Sequence, residues 1–86
     1  MKLFAIYFSR SAEKALKVLP KIMSDRITKA IQALAHDPHP VGSKKMAGTH
    51  ATYRIRIQNY RVVYDVDHGQ VTILVLKIAH RREVYR

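Results

Sequence analysis

The chain contains no cysteine, which excludes a disulfide framework and a thiolate metal site and fits a reducing compartment. Its longest apolar runs fall far short of the ~20 residues that a membrane span needs. The opening stretch MKLFAIYFSRSAEKAL turns charged and helix-like too early for a secretory signal peptide. There is no P-loop, no nucleotide-binding glycine pattern and no Ser-His-Asp arrangement. His36, His39, His50, His68 and His80 are scattered, so each reads as an ordinary loop or turn residue and no metal is expected. Glu13 and Glu83 form no evident acid/base pair. These absences describe a cytoplasmic protein with no cofactor and no membrane partner, whose chemistry rests on Arg, Tyr, Lys and His.

Acid is the scarcest chemistry of all. Sixteen Lys and Arg stand against six Asp and Glu, a formal charge of +10 and a pI near 10.3. Such a domain meets a polyanion (nucleic acid, an anionic membrane or an acidic protein) or else simply carries a basic, solvated surface. The 86 residues suit one domain, 1–86, near the lower size at which one core sustains a fold, and 48% hydrophobic content supplies that core.

Residues 2–8, KLFAIYFS, favour a strand. Ser9 or Ser11 suits a helix N-cap, and Glu13 sits in a first turn where negative charge is favoured. Ala12, Ala15, Leu16 and Leu19 form one helical stripe, and Pro20 closes that helix or opens the next. Met23, Ile27, Ala30, Ile31, Leu34 and Ala35 recur at three and four, with Lys21, Asp25, Arg26 and Lys29 on the other side. HDPHPVGSKKMAGTH, residues 36–50, reads as a loop. Strands at 53–57, 60–67 and 71–79 follow, joined by turns at Gln58-Asn59, where Asn tolerates positive φ, and at 67–70. The expected fold is α+β, in the order β-α-α-β-β-β, a single antiparallel-rich sheet with two N-terminal helices on one face.

The stretch YRIRIQNYRVVYDV poses the functional question. With residues 58 and 59 as the turn, Ile57 faces Tyr60, Ile55 faces Val62 and Tyr53 faces Tyr64, giving an apolar face for the helices. The other face then pairs Arg56 with Arg61 and Arg54 with Val63. Opposed arginines oppose folding by ~0.2–1 kcal/mol when exposed. Asp65 lies two pairs from Arg61, and Val63, Leu74 and Leu76 are expected on the same face. A solvated face that deters edge pairing accounts for charge alone. Planar cations beside apolar area suit a phosphate backbone with splayed bases. Lys44 and Lys45 in the loop add further cations. Strand alternation points His80 towards the arginines, and Arg81 and Tyr85 reach them only if the chain turns after Ala79.

MAGTHATYRIRIQNYRVVYDV, followed by LVLKIAHRREVYR, resembles the RelE branch of the RelE/ParE toxin superfamily over nearly the whole chain. The resemblance implies a toxin of a toxin–antitoxin pair that cleaves mRNA in the ribosomal A site and is held by a RelB-type antitoxin. It implies that Arg61 stabilises the transition-state phosphate, Arg81 protonates or stabilises the leaving oxygen, and Tyr85 stacks on or orients the nucleotide. Arg54 and Arg56 stand where the best-studied members carry lysine. Arginine keeps its proton, so neither serves here as a base.

The residues permit the same chemistry on their own terms. RNA carries its own nucleophile, the 2′-hydroxyl, so the protein need only align it, neutralise charge and assist the leaving 5′-oxygen. Arginine matches phosphate oxygens two at a time. Tyr85 suits stacking, donation or, among cations, loss of its proton below about 10. His80 is a second proton carrier. Two other readings share the residues: a ParE-like toxin of DNA gyrase, which generally lacks the Arg81–Tyr85 pairing, and a basic nucleic-acid-binding module without chemistry.

Overall fold

A computed structural model of the chain describes residues 3–80. The elements are β1 (Ala5–Phe8), α1 (Arg10–Val18), α2 (Lys21–Leu34), β2 (Lys44–Lys45), β3 (Thr52–Ile57), β4 (Tyr60–Asp67) and β5 (Thr72–His80). They form one five-stranded sheet in the order β1-β5-β4-β3-β2, parallel between β1 and β5 and antiparallel elsewhere. The α+β class and both N-terminal helices are as the sequence implies, with one strand more.

Local signals explain most boundaries. Ser9 is the N-cap of α1, its Oγ accepting from the Ala12 N–H at 3.1 Å, and Glu13 lies in the first turn. Pro20 opens α2, its carbonyl accepting from Ser24 N–H at 2.9 Å. The end of α2 tightens into i→i−3 bonds, and the Ala35 carbonyl accepts from Phe4 N–H at 2.9 Å. That bond ties Phe4 to the helix end, so β1 starts at Ala5 rather than at residue 2.

The core lies between the helices and one sheet face. Ala12, Ile27, Ile31 and Leu34 meet Ile55, Val62, Tyr64, Val66, Ile73, Val75 and Ile78, all buried. The hairpin register is the one alternation implies: Ile57↔Tyr60, Ile55↔Val62, Tyr53↔Tyr64, with Arg54↔Val63 and Arg56↔Arg61 on the outer face. Each fully buried aliphatic contributes about 1.5–3 kcal/mol relative to exposure.

Four features depart from the sequence reading. The positive φ of the hairpin turn falls on Gln58 (56°), not Asn59, the pattern of a turn left-handed only at its first central residue. The loop after α2 contains β2, whose Lys44 and Lys45 pair with Arg54 and Tyr53. Val71 adopts φ 57° and stays outside β5, which begins at Thr72; a β-branched residue there is strained. Its carbonyl accepts from Ala5 N–H at 3.0 Å, which holds the conformation.

The fourth departure matters most for function. A β-bulge breaks the β4–β5 register: Val63 pairs with Lys77 but Tyr64 pairs with Val75, leaving Leu76 as the extra residue. Beyond it the alternation of β5 reverses. Lys77 and Ala79 face the arginine side, while His80 pairs with Tyr60 on the helix side. The expectation that His80 points towards the arginines is therefore corrected, and Leu76 does not continue the row of Leu74. Ser9 Oγ donates to the Leu76 carbonyl at 2.7 Å, anchoring the bulge to the cap of α1.

Candidate functional site

Strand pairing assembles the outer face in rows. Arg56, Arg61 and Ala79 form one row; Lys44, Arg54, Val63 and Lys77 form the next. Thr52, Asp65 and Leu74 come third, then Asp67 and Thr72. One end of the face is cationic and the other carries acid. Asp65 is engaged at its own end, accepting from Thr52 Oγ1 at 2.5 Å.

Arg61 is only 3% exposed, the one buried charged residue among those described. The reading of this face as merely solvated fails at this residue. β4 is a central strand, so β3 and β5 flank Arg61 on both sides, whereas Arg56 on β3 stays exposed. Its cross-strand neighbours are Arg56 and Ala79, and the adjoining row adds Lys44, Arg54 and Lys77. A buried guanidinium keeps its charge, and a buried charge is tolerated when anions or fixed dipoles face it. A small concavity of about 90 Å³ opens here, lined by Gly42, Lys44, Arg54, Ile55, Arg56 and Arg61. That is well below the ~300 Å³ at which small-molecule pockets begin. It suits a single phosphate group within a longer strand.

The structure thus gathers Arg54, Arg56, Arg61 and Lys44. Lys45 pairs with Tyr53 and lies off their rows. His80 packs edge-on against Tyr60, ring centroids 5.3 Å apart at 81°, near the α1–α2 junction. Arg81 and Tyr85 lie outside the described residues. Lys77 and Ala79 were missed because only the bulge brings them to this face, and nothing in their residue types announces it.

At the opposite end a wider cavity of about 610 Å³ is bounded by His50, Thr52, Asp65, Asp67, His68 and Leu74, among others. Nearby, His39 Nε2 and His68 Nε2 meet at 3.0 Å, so two histidines read as unrelated are in contact. Tyr64 is fully buried, its hydroxyl donating to the Pro38 carbonyl at 2.8 Å. Burial pushes that hydroxyl up to about 12, against a lowering hydrogen bond with Ser43. Tyr64 is therefore a neutral structural donor that fixes the segment entering β2.

Comparison with known proteins agrees with this architecture. Residues 6–85 match the model of the family described as ParE toxin of type II toxin–antitoxin system, parDE. Toxin RelG of Mycobacterium tuberculosis is 27% identical over 84 residues, spanning 96% of this chain and 97% of that protein. Toxin RelE3 of Methanocaldococcus jannaschii is 30% identical, spanning 93% of each. The fold is similar to the archaeal RelE–RelB complex from Pyrococcus horikoshii, with a TM-score of 0.82 and 30% identity over 92% of this chain and 96% of that one. No helix among the described residues is long and apolar enough to cross a membrane. With four-fifths of its length and more aligned to toxins in sequence and in fold, the chain belongs to the RelE/ParE toxin family of type II toxin–antitoxin systems.

Proposed function

We propose that this RelE-like toxin is a ribosome-dependent mRNA endoribonuclease that cleaves in the A site. The RNA 2′-oxygen attacks the adjacent phosphorus and the bond to the 5′-oxygen breaks, leaving a 2′,3′-cyclic phosphate upstream and a 5′-hydroxyl downstream. The observation that supports this most is the buried guanidinium of Arg61 at the edge of a phosphate-sized, cation-lined concavity. A preorganised cation in a water-poor site stabilises charge far better than one in solvent. Arg61 is assigned to the scissile phosphate, and Arg54, Arg56 and Lys44 to the adjoining RNA backbone. Arg81 at the leaving oxygen and Tyr85 against the nucleotide rest on the family resemblance.

Neither Arg54 nor Arg56 accepts a proton, so alignment and charge neutralisation carry more of the rate than base catalysis. That division fits an enzyme whose substrate is arranged by the ribosome. The inhibitor is a RelB-type antitoxin, in keeping with the RelE–RelB assembly of the Pyrococcus horikoshii relative. With a formal +10 on the toxin, association with an acidic antitoxin is steered over roughly 8–10 Å and slows as salt rises. An association rate unchanged between low and high salt contradicts that steering.

The test of the main reading is incubation of purified toxin with programmed ribosomes and mapping of mRNA ends and their chemistry. Cleavage within the A-site codon with a cyclic phosphate is expected, at least transiently. Intact mRNA with inhibited gyrase supports the ParE-like reading instead, and RNA binding without cleavage supports a plain basic module. Metal-dependent products bearing only a downstream 5′-phosphate refute the proposed displacement.

A further inference from the structure

We propose that His39 and His68 form a two-histidine site for a late first-row divalent cation, Zn²⁺ or Ni²⁺, that staples the segment after α2 to the β4–β5 turn. Their Nε2 atoms stand 3.0 Å apart across a 29-residue separation. Two imidazole nitrogens bound to one such ion at about 2.0–2.1 Å lie roughly 2.9 Å apart at a right angle and roughly 3.3 Å apart at a tetrahedral one. The observed spacing falls between these values, so little movement of either ring is needed.

Both rings are positioned by contacts that run back to the core. His39 N–H donates to Asp37 Oδ1 at 3.0 Å, and its ring lies 4.5 Å from that of Tyr53. Tyr53 stacks on Tyr64 at 6.1 Å, and Tyr64 holds the Pro38 carbonyl one residue before His39. His68 sits edge-on to Phe4 at 5.4 Å, in a turn where Gln70 N–H donates to Asp67 Oδ1 at 3.0 Å. Asp37 and Asp67 also place negative charge near both histidines, which offsets locally the repulsion between a dication and a basic protein.

The chemistry of the pair explains the exchange. Without metal, one Nε2–H donates to the other Nε2 lone pair. With metal, both rings take the Nδ1–H tautomer and both Nε2 atoms ligate, so the shared Nε2 proton moves off and the ion takes its place. Among the described residues no group of three His, Cys, Asp or Glu is disposed to hold a metal. Water fills the remaining positions, so binding is weaker than at a four-ligand structural site. Gly42 and Lys44, which line the arginine concavity, follow His39 closely in the chain. The staple therefore restrains one wall of the cationic site.

The experiment uses tag-free full-length toxin in thermal melts with excess ZnCl2, NiCl2 or MgCl2, with calorimetric titration of ZnCl2. Zn²⁺ and Ni²⁺ are expected to raise Tm by several degrees while Mg²⁺ leaves it unchanged, since only binding to the folded state shifts the transition. Titration should give one ion per chain. The rise should vanish in His39→Ala and in His68→Ala and persist in His36→Ala. Each variant is read as its own metal-induced difference, so intrinsic destabilisation does not confuse the result. Should an alanine variant fail to fold, ring NMR of the native protein replaces it, with Zn²⁺-induced shifts expected at His39 and His68. No rise, an equal rise with Mg²⁺, a rise surviving loss of either histidine, shifts at other histidines instead, or one ion per two chains overturns the site.

Discussion

Val62 and Arg61 are chain neighbours on β4, and solvent reaches neither, at 0% and 3% exposure. Val62 faces the helices and packs with Ile55, Ile31 and Tyr64 in the core cluster. Arg61 faces the other way, across from Arg56 and beside a cationic row. Burial of Val62 releases water from apolar surface and stabilises the fold. Burial of Arg61 removes a permanent charge from water among like charges, which opposes folding. Equal burial on two faces of one strand thus has opposite energetic sign. A fold that keeps such a residue uses it for something other than stability, and an RNA phosphate supplies the charge that the face lacks.

The sharpest break in that contrast comes from substituting each neighbour. Arg61→Gln is expected to lower ribosome-dependent cleavage by on the order of a hundredfold or more. Its stability should be unchanged or raised by at most ~1 kcal/mol, because an opposed like charge is removed. Val62→Ala should do the reverse, destabilising by about 1–3 kcal/mol while sparing cleavage per folded molecule. Thermal melts and cleavage assays on both variants measure this, and a destabilised but active Arg61→Gln protein ends the phosphate-site proposal.

A second expectation concerns the buried face alone. The Tyr64 hydroxyl is raised from 10.0 to about 12 by burial. The unfolded chain loses this proton near pH 10 while the folded chain keeps it, so between pH 10 and 12 the unfolded state binds fewer protons. Stability from Tyr64 is complete below pH 10 and is lost as pH rises through 12, on the order of 2–3 kcal/mol in total. Urea unfolding at pH 8, 10 and 11 should show a fall that Tyr64→Phe reduces. That variant is also expected to be weaker at pH 8 by ~1–3 kcal/mol, since the Pro38 carbonyl loses its donor.

Arg56→Gln sharpens the outer face by degree. Arg56 is exposed where Arg61 is buried, so its contact with RNA is screened by solvent, and a loss of cleavage nearer tenfold than a hundredfold is expected. An Arg56→Gln loss matching that of Arg61→Gln would show that burial does not set the two apart.

The smallest effect tests how the two faces were assigned on β5. Ser9 caps α1 and its Oγ donates to the Leu76 carbonyl at the bulge. Ser9→Ala should lower stability by about 1 kcal/mol. Hydrogen exchange should then speed up near residues 75–77 while the hairpin of β3 and β4 stays protected. Unchanged exchange at the bulge would show that the serine only caps the helix.

The sequence by itself determined whatever depends on short-range periodicity. The stripe Ile27, Ile31 and Leu34, the Ser9 cap and the alternation of Tyr53 to Ile57 against Tyr60 to Tyr64 are each legible because helix and strand repeats are fixed by backbone geometry. The opposition of Arg56 and Arg61 follows from that alternation and one turn. Tertiary structure alone decided what depends on neighbours distant in the chain. A solvated arginine and a buried one have the same residue type, and only the central place of β4 in the sheet buries Arg61. Lys44 joins the arginines through two residues of pairing inside what reads as a loop, where no repeat is long enough to show. The bulge at Leu76 turns Lys77 and Ala79 towards the arginines and His80 away, because one inserted residue reverses a period of two. His39 and His68 meet only because the segment after α2 folds back onto the β4–β5 turn, a contact that carries no signature in spacing.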